Sequence, residues 1–405
     1  MVIFSNLKIW DKEKRDFQIQ NIEVNYDSSI FRLEDNTINC RDFLGIPFGV
    51  DLHVNFREPG YENKEDMLSG AEAALFGGIL TVVDMPNNKP LADSIEAIKN
   101  KRNLSKKQEI VEILIAAAIT ENNYNEIASL EPFCDAYKIY MSEYLGELKI
   151  SEESILSALE KLEDIGTSKP IIFHAEDSTT LSNMERELSN YKRRPPEAEA
   201  IAIQKILQWA KDYSSLKFHI THISSSLSLK LLELANSSNL TTDTCPRYLF
   251  FNQNSELDEK LKIVTPPLRK ESDNNSLIKG LSTGIIDMIS SDHSPHTLEE
   301  KMKENLSGMP GVQELLPALI TLIHSGELEW ERAIEAYHNF PLKLLNIGEK
   351  PIEENFLIID PYTPFLVDEN WIQSKAKWSP FQNKMMYGSI KYIVKDSQLL
   401  LKVED

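Results

Sequence analysis

The spacing of apolar residues along the chain changes twice. Over residues 1–46, apolar and polar positions alternate in MVIFSNLKIW, FQIQNIEVNY and SIFRLEDNTINC. A period of two sends successive side chains to opposite faces, so these segments predict short, half-buried antiparallel strands. From residue 47, short apolar runs alternate with longer amphipathic stretches. The runs are IPFGVDLHV, GILTVVDM, EILIAAAI, DAYKIYM, PIIFHAE, KFHITHIS and IDMISSDH. Between them lie KEDMLSGAEAALFGG, SEESILSALEKLEDIG, EAEAIAIQKILQWAKDY and SSLSLKLLELANSS, which carry helical spacing. Strand–helix units repeated in this way predict a parallel α/β fold. Their number is close to eight, which favours a (β/α)8 TIM barrel over an open sheet. After residue 345 the strand rhythm returns in ENFLIIDP, PFLVDENW, MMYGSIKYIVKD and SQLLLKVE. The expected organisation is a barrel over 47–345 and one small β domain formed by segments 1–46 and 346–405. The polar stretch ESDNNS, 271–276, reads as an exposed loop.

Composition narrows the function classes. The 405 residues are 41% hydrophobic and 26% charged, ordinary for a soluble globular protein, and the net charge is -20. An acidic surface repels polyanions, so neither nucleic acid nor an anionic membrane is an expected partner. The three cysteines, Cys40, Cys134 and Cys245, are scattered and form no CxxC, which fits a reducing, cytoplasmic setting. The start lacks the pattern of a signal peptide, and no run of about 18 apolar residues suggests a membrane span.

The candidate chemistry lies at the ends of the apolar runs. The chain has eight histidines, and His53, His174, His219, His222, His293 and His296 fall in or just after those runs. In a barrel, the C-terminal strand ends form the active-site face. One such histidine reads as easily as a hydrogen-bonded core residue; several on different strand ends point to a shared metal site. Zinc takes nitrogen and oxygen ligands and keeps a position open at a catalytic centre. His53, His174, His222 and the carboxylate Asp292 are the candidate ligands. His219 and His222 are three apart, which puts them on opposite faces of a strand, and His222 is nearer the C-terminal end. Lys138, inside the apolar run DAYKIYM, reads either as a snorkelling lysine or as a lysine facing the metals. A desolvated neutral amine takes up carbon dioxide to form a carbamate, an anion able to bridge two metals. His324 and His338 lie in helix-like sequence and read as structural or exposed.

Taken together, these motifs resemble the dihydroorotases of the amidohydrolase superfamily. The likeness runs nearly end to end through FREPGYENKEDMLSGAEAALFGGILTVVDMPNNKP, IIFHAED, RRPPEAEA, HITHISS, TPPLRKESD, DHSPHTLEEK, GMPGVQE, IEENFLIIDP and KWSPFQNKMMYGSIKYIVKD. Allantoinases and dihydropyrimidinases share the architecture; FREPG followed by MPN leans toward dihydroorotase. The resemblance implies a barrel of the metal-dependent hydrolase type that interconverts N-carbamoyl-L-aspartate and (S)-dihydroorotate in de novo pyrimidine biosynthesis. His53, Lys138, His174, His222 and Asp292 would surround one or two zinc ions per subunit, with Lys138 carboxylated at its side-chain nitrogen. Hydroxide generated at the metal would attack the ring amide, and Asp292 would shuttle the proton. Arg57, Asn87 and His296 would hold the substrate carboxylate, with Arg57 as the bidentate anchor. The bland alternatives are a surface ion pair for Arg57 and a turn residue for Asn87. Ser307, Gly308 and Gly311 would close over the ring, the glycines permitting close backbone approach.

Three positions depart from the family. Asn55 stands where His-x-His has its second histidine, an amide being a weaker zinc ligand than imidazole. Arg247 and Tyr248, in TCPRYLFF, stand where many members have two histidines. Thr265 stands where an asparagine often contacts substrate; Asn55 and Thr265 are kept as substrate-side candidates. The ion shared by His53 and Asp292 is therefore expected to bind less tightly than one on Lys138, His174 and His222. The leading reading is an active enzyme on a small-molecule substrate. The alternatives are a catalytically impaired relative with a structural or regulatory role, binding another pyrimidine-pathway enzyme, and a different cyclic-amide hydrolase such as an allantoinase or hydantoinase. The sequence leaves both a monomer and a homo-oligomer open.

Overall fold

The computed structural model describes residues 1–402 apart from 30–32, 34, 143–147, 186–188 and 236. The expected segments SIFRLEDNTINC, SSLSLKLLELANSS and SQLLLKVE fall partly on 30–32 and 34, on 236 and on 403–404, outside the described residues.

The N-terminal alternation folds as a sheet. Strands β1 (Val2–Asp11) and β2 (Asp16–Tyr26) pair antiparallel, and β3 (Thr37–Asn39) and β4 (Leu44–Ile46) pair parallel with β1. Val2, Phe4, Leu7 and Ile9 face one core and are fully buried. The register shifts between Phe4 and Leu7, where Asn6 takes a positive φ of 56°. That bulge moves the buried set from even to odd positions while keeping it on one face.

The barrel follows: β5 (Gly49–Val54), β6 (Ile79–Asp84), β7 (Glu112–Ala118), β8 (Ala136–Tyr140), β9 (Pro170–His174), β10 (Lys217–Ile220), β11 (Leu240–Thr244) and β12 (Met288–Ile289). Among the described residues these eight strands run parallel in sequential order. The ring closes where Val54 bridges His293 and the Asn55 amide N–H donates to the His293 carbonyl at 2.8 Å. Helices Met67–Phe76, Glu152–Asp164, Pro196–Asp212 and Ser226–Glu233 occupy the expected amphipathic stretches. Capping hydroxyls or carboxylates start three of them, Asp66, Ser151 and Ser225, and Pro196 starts the fourth.

Three elements differ from expectation, the first being β3, which pairs parallel rather than antiparallel with β1. LTTDT forms barrel strand β11 although it is not an apolar run. Its buried polar groups are paired: the Thr242 N–H donates to Asp287 at 2.8 Å and the Thr244 hydroxyl to the Ile223 carbonyl at 2.8 Å. ESDNNS is not a loop but the start of helix Glu271–Thr283. Glu271 and Asp273 lie in its first turn, where carboxylates suit the positive end of the helix dipole, and Asp273 accepts from the Lys270 N–H at 3.1 Å. Asn274 is buried and donates to the Tyr248 and Phe251 carbonyls.

The chain then returns to the first sheet. β13 (Phe356–Asp360), β16 (Ser389–Lys395) and β17 (Gln398–Lys402) complete the order β2-β17-β16-β13-β4-β1-β3, while β14 (Phe365–Leu366) and β15 (Met385–Met386) form a separate two-stranded antiparallel sheet. A small β unit built from both termini thus accompanies the barrel. Among the described residues no helix is long and apolar enough to cross a membrane.

Candidate active site

The C-terminal ends of β5, β8, β9, β10 and β12 carry His53, Lys138, His174, His222 and Asp292 to one face, and all five are buried. His222 and Asp292 have positive φ values of 51° and 43°, and Arg57 has 63°. Such backbone is costly for side chains with a Cβ and persists where surrounding structure enforces it, as at functional sites. His219 points away: its Nε2 meets Asp243 at 2.8 Å and its Nδ1 the Thr241 hydroxyl at 2.9 Å.

The ring protons can be placed from the partners. His174 Nε2 lies 2.8 Å from Glu176, which only accepts, so Nε2 carries the proton and Nδ1 keeps its lone pair. That Nδ1 is 3.0 Å from His222 Nε2. His53 Nδ1 is 2.9 Å from the Thr221 hydroxyl, which itself donates to Asp243 at 3.1 Å, so His53 Nδ1 is protonated and Nε2 is bare. His53 Nε2 faces Asp292 Oδ1 at 3.3 Å. With His174 Nδ1 bare, His222 Nε2 carries the proton across their 3.0 Å contact, so a metal there would have to displace that proton; the four groups come in two pairs. Two ligands on one zinc ion, at about 2.0–2.2 Å each in a tetrahedral arrangement, lie roughly 3.4 Å apart, so both pairs have the spacing of shared ligands. Among the described residues, no three His, Cys, Asp or Glu side chains gather on a single point.

Electrostatics fits that reading. Burial pushes His53 and His222 well below their ordinary range, and it lowers His174, leaving neutral imidazoles. Burial also pushes the Lys138 amine down to about 7, against the pull of Asp292 and Asp243. Among the described residues its Nζ, in the wholly buried strand β8, has no hydrogen-bond partner. Glu176, behind His174, lies at about 2: burial raises it, and Arg194 at 2.8 Å, then His174, pull it down further.

Asp292 is held on several sides. Its Oδ1 accepts from the Ser294 hydroxyl at 3.0 Å, and its Oδ2 is 3.3 Å from Arg247 Nη1. Asn55 donates its amide hydrogens to the His293 carbonyl at 2.9 Å and the Ser294 hydroxyl at 2.8 Å. Asn55 thus sits beside the metal-ligand candidates and reaches Asp292 through Ser294. Tyr248 donates its hydroxyl to the Pro266 carbonyl at 2.6 Å and is buried, away from this network.

Arg57 is buried rather than paired on the surface. Its Nε donates to the Pro295 carbonyl at 3.2 Å; among the described residues its Nη2 has no partner, and the buried Asn87 Nδ2 also has none. His296 Nε2 donates to the Ser307 carbonyl at 3.0 Å, leaving Nδ1 to accept from Lys64 Nζ at 3.1 Å. Burial, then the Arg57 and Lys64 charges, drives His296 down to about 2. Thr265 accepts from the Ser307 hydroxyl at 2.8 Å. Gly308 has φ 141°, and a Cβ there would lie 2.4 Å from the Ser294 carbonyl oxygen, so only glycine fits this approach. The structure brings Arg57 and Asn87 into view as unpaired buried donors, and links His296, Ser307 and Thr265 in a chain of hydrogen bonds.

Several supporting residues escaped sequence reading. Glu176 and Arg194 fix His174. Glu65 accepts from the Lys375 N–H at 3.1 Å and lies 3.3 Å from His293 Nε2, tying the β12 end to the 374–375 segment. Glu199, from RRPPEAEA, accepts from the Ser224 N–H at 3.2 Å and the Ser225 hydroxyl at 3.0 Å, pinning the turn after His222. The only sequence signal was an acidic residue inside each quoted motif.

The model of the amidohydrolase family matches residues 46–350. A dihydroorotase of Methanosarcina mazei is 31% identical over 378 residues, covering 86% of this chain and 82% of the relative. A dihydroorotase of Caldicellulosiruptor saccharolyticus is 30% identical over 375 residues, covering 88% and 86%. Among solved structures, an L-hydantoinase (dihydropyrimidinase) from Arthrobacter aurescens superposes with a TM-score of 0.84 at 22% identity, covering 99% of this chain and 97% of that one. At that identity the likeness speaks for the fold.

Proposed function

The chain belongs to the amidohydrolase family, among its dihydroorotases, and on that premise we propose that it interconverts (S)-dihydroorotate and N-carbamoyl-L-aspartate. One observation carries the substrate assignment: two buried donors, Arg57 Nη2 and Asn87 Nδ2, have no partner among the described residues. An unmade buried hydrogen bond costs about 1–3 kcal/mol, and a carboxylate on the substrate would remove that cost at both groups. His296 spends its Nε2–H on the Ser307 carbonyl and its Nδ1 accepts from Lys64, so it joins the carboxylate as third partner in this reading only by exchanging the Ser307 bond for it.

The donor set fits a divalent metal: neutral imidazoles, a carboxylate, and a buried amine low enough to be partly neutral. His174, His222 and Lys138, the last as its carbamate, would hold zinc on one side, and His53 and Asp292 face each other on the other. Zinc bound there supplies Lewis acidity, polarising the ring amide and making water a usable nucleophile near neutral pH. Asp292 does the proton work. In ring opening it takes the proton released as water adds to the amide carbonyl carbon; the carbon–nitrogen bond breaks and the ring nitrogen receives that proton. In ring closure Asp292 gives the proton back to the leaving oxygen. Ser294 and Arg247 keep its two oxygens in place through these steps.

The test is ring opening by the purified, zinc-loaded protein, followed by loss of the dihydroorotate ring absorbance. Turnover of dihydroorotate above hydantoin and allantoin supports the reading. Preference for either of those moves the substrate assignment, and no turnover with metal bound favours a catalytically impaired relative.

A further inference from the structure

We infer that Arg247 is a built-in cation on the His53–Asp292 side of the site, so that each chain holds one divalent ion, on the His174–His222–Lys138 side. The inference rests on the metal-dependent reading above and concerns what this chain's own residues do to it.

The His53–Asp292 side is already filled with contacts. Asp292 Oδ1 accepts from Ser294 at 3.0 Å and Oδ2 faces Arg247 Nη1 at 3.3 Å. Asn55, the neighbour best placed to add a ligand, spends its amide hydrogens on the His293 carbonyl and Ser294. Arg247 cannot readily turn aside. It is buried, and its Nη2 donates to the Ser291 carbonyl at 3.0 Å and to the Asp292 carbonyl. Swinging away would strand those donors in the interior. A divalent ion between His53 and Asp292 would therefore sit beside a fixed guanidinium in a buried site, where like charges are poorly screened.

The other side has the opposite character. His174 and His222 present nitrogens 3.0 Å apart, Glu176 backs His174, and Lys138 Nζ lies buried without a hydrogen-bond partner among the described residues. An acceptor behind a ligating histidine fixes its tautomer and raises its basicity. The cation that Asp292 needs beside it is then Arg247, which acts as a positioning residue for the proton carrier.

The experiment is metal stoichiometry on the intact chain. The protein is stripped with chelator, reloaded with cobalt(II), freed of excess and measured by elemental analysis together with its visible spectrum. The wild type is expected to hold one equivalent. The double variant Asn55→His, Arg247→His is expected to take up a second, with new ligand-field bands. Should that variant fail to fold, Arg247→Gln carries the test through a second equivalent appearing at raised cobalt. Two equivalents in the wild type overturn the inference and leave the metal reading standing. A folded variant that stays at one equivalent overturns it as well. No bound metal in any form overturns the metal reading itself.

Discussion

Replacing Arg57 by Met should weaken catalysis and leave the fold as stable as before or more so. The side chain is 6% exposed, with Nε on the Pro295 carbonyl at 3.2 Å and Nη2 unpaired. Removing an unsatisfied buried donor relieves about 1–3 kcal/mol, while losing the Nε bond costs about 1 kcal/mol. The balance is about 0–2 kcal/mol in favour of the variant. With an unfolding entropy of about 2.1 cal/mol/K per residue, a chain of 405 residues gains about 1 °C in Tm per kcal/mol, so Tm should hold or rise by about 2 °C. The lost bidentate grip on a carboxylate is two charge-assisted hydrogen bonds of about 1.5–3 kcal/mol each, so kcat/KM on dihydroorotate should fall about 10²- to 10⁴-fold. The control is dihydrouracil, the same ring without the carboxylate. Its turnover by wild type and variant should be similar. Equal losses on both substrates, or a Tm several degrees lower, would refute the assignment of Arg57 as a preformed carboxylate anchor.

Three further outcomes follow from the same geometry. Gly308→Ala should raise KM about tenfold or more, because φ 141° and the 2.4 Å approach to the Ser294 oxygen force the 307–308 segment to move at a strain of about 1–3 kcal/mol; steady-state kinetics with a near-normal melting curve would show it. Glu176→Gln should weaken metal binding about 10- to 100-fold, measured by chelator competition, since it removes the charge that fixes His174; an unchanged dissociation constant would count against the ligand role. Lys301 is pushed down to about 7 from 10.5 by burial, then by Arg247, and donates to the Ile263 and Leu306 carbonyls at 3.0 and 2.7 Å. The unfolded chain binds the extra proton between these values, so stability from this group rises as pH goes from 7 toward 10.5. Lys301→Met should lose that rise, and parallel denaturant titrations at pH 7 and 9 that show the same pH trend in both proteins would contradict it.

Much of the framework was legible in the sequence because it rests on local periodicity. Apolar runs mark strands that are buried on both faces, and the C-terminal ends of five of them carry the candidate ligands. His219 and His222 do separate, but not by strand alternation: β10 ends at Ile220, and His222 follows it with a positive φ of 51°. β11 was not legible, since its buried Thr242, Asp243 and Thr244 are tolerated only because partners on neighbouring strands satisfy them, and hydropathy does not register partners. ESDNNS misled for a related reason. Its polar residues favour turns and helix starts alike, and the choice is made by Asn274 reaching the Tyr248 and Phe251 carbonyls. Glu65, Glu176 and Glu199 are likewise defined by partners that hydropathy does not register.

The departures from the family are the clearest case of information that exists only in three dimensions. Asn55 and Arg247 lie far apart in the chain and read in the sequence as two separate defects. In the fold they meet at Asp292, Arg247 directly and Asn55 through Ser294. By the resemblance each stands where an imidazole is expected, and in the fold they bring one positive charge and hydrogen-bond donors to the same corner. A corner that lost a ligand at random would be left with an unpaired carboxylate, at a cost of several kcal/mol for an uncompensated buried charge. Here the carboxylate is paired, oriented and next to His53. Reverting either position alone should therefore be worse than reverting both: Arg247→His strips Asp292 of its cation without completing a ligand set, and Asn55→His adds a ligand beside an unchanged guanidinium. A double-mutant cycle on Tm and on metal stoichiometry measures that coupling, and additive effects would mean that the two positions changed independently.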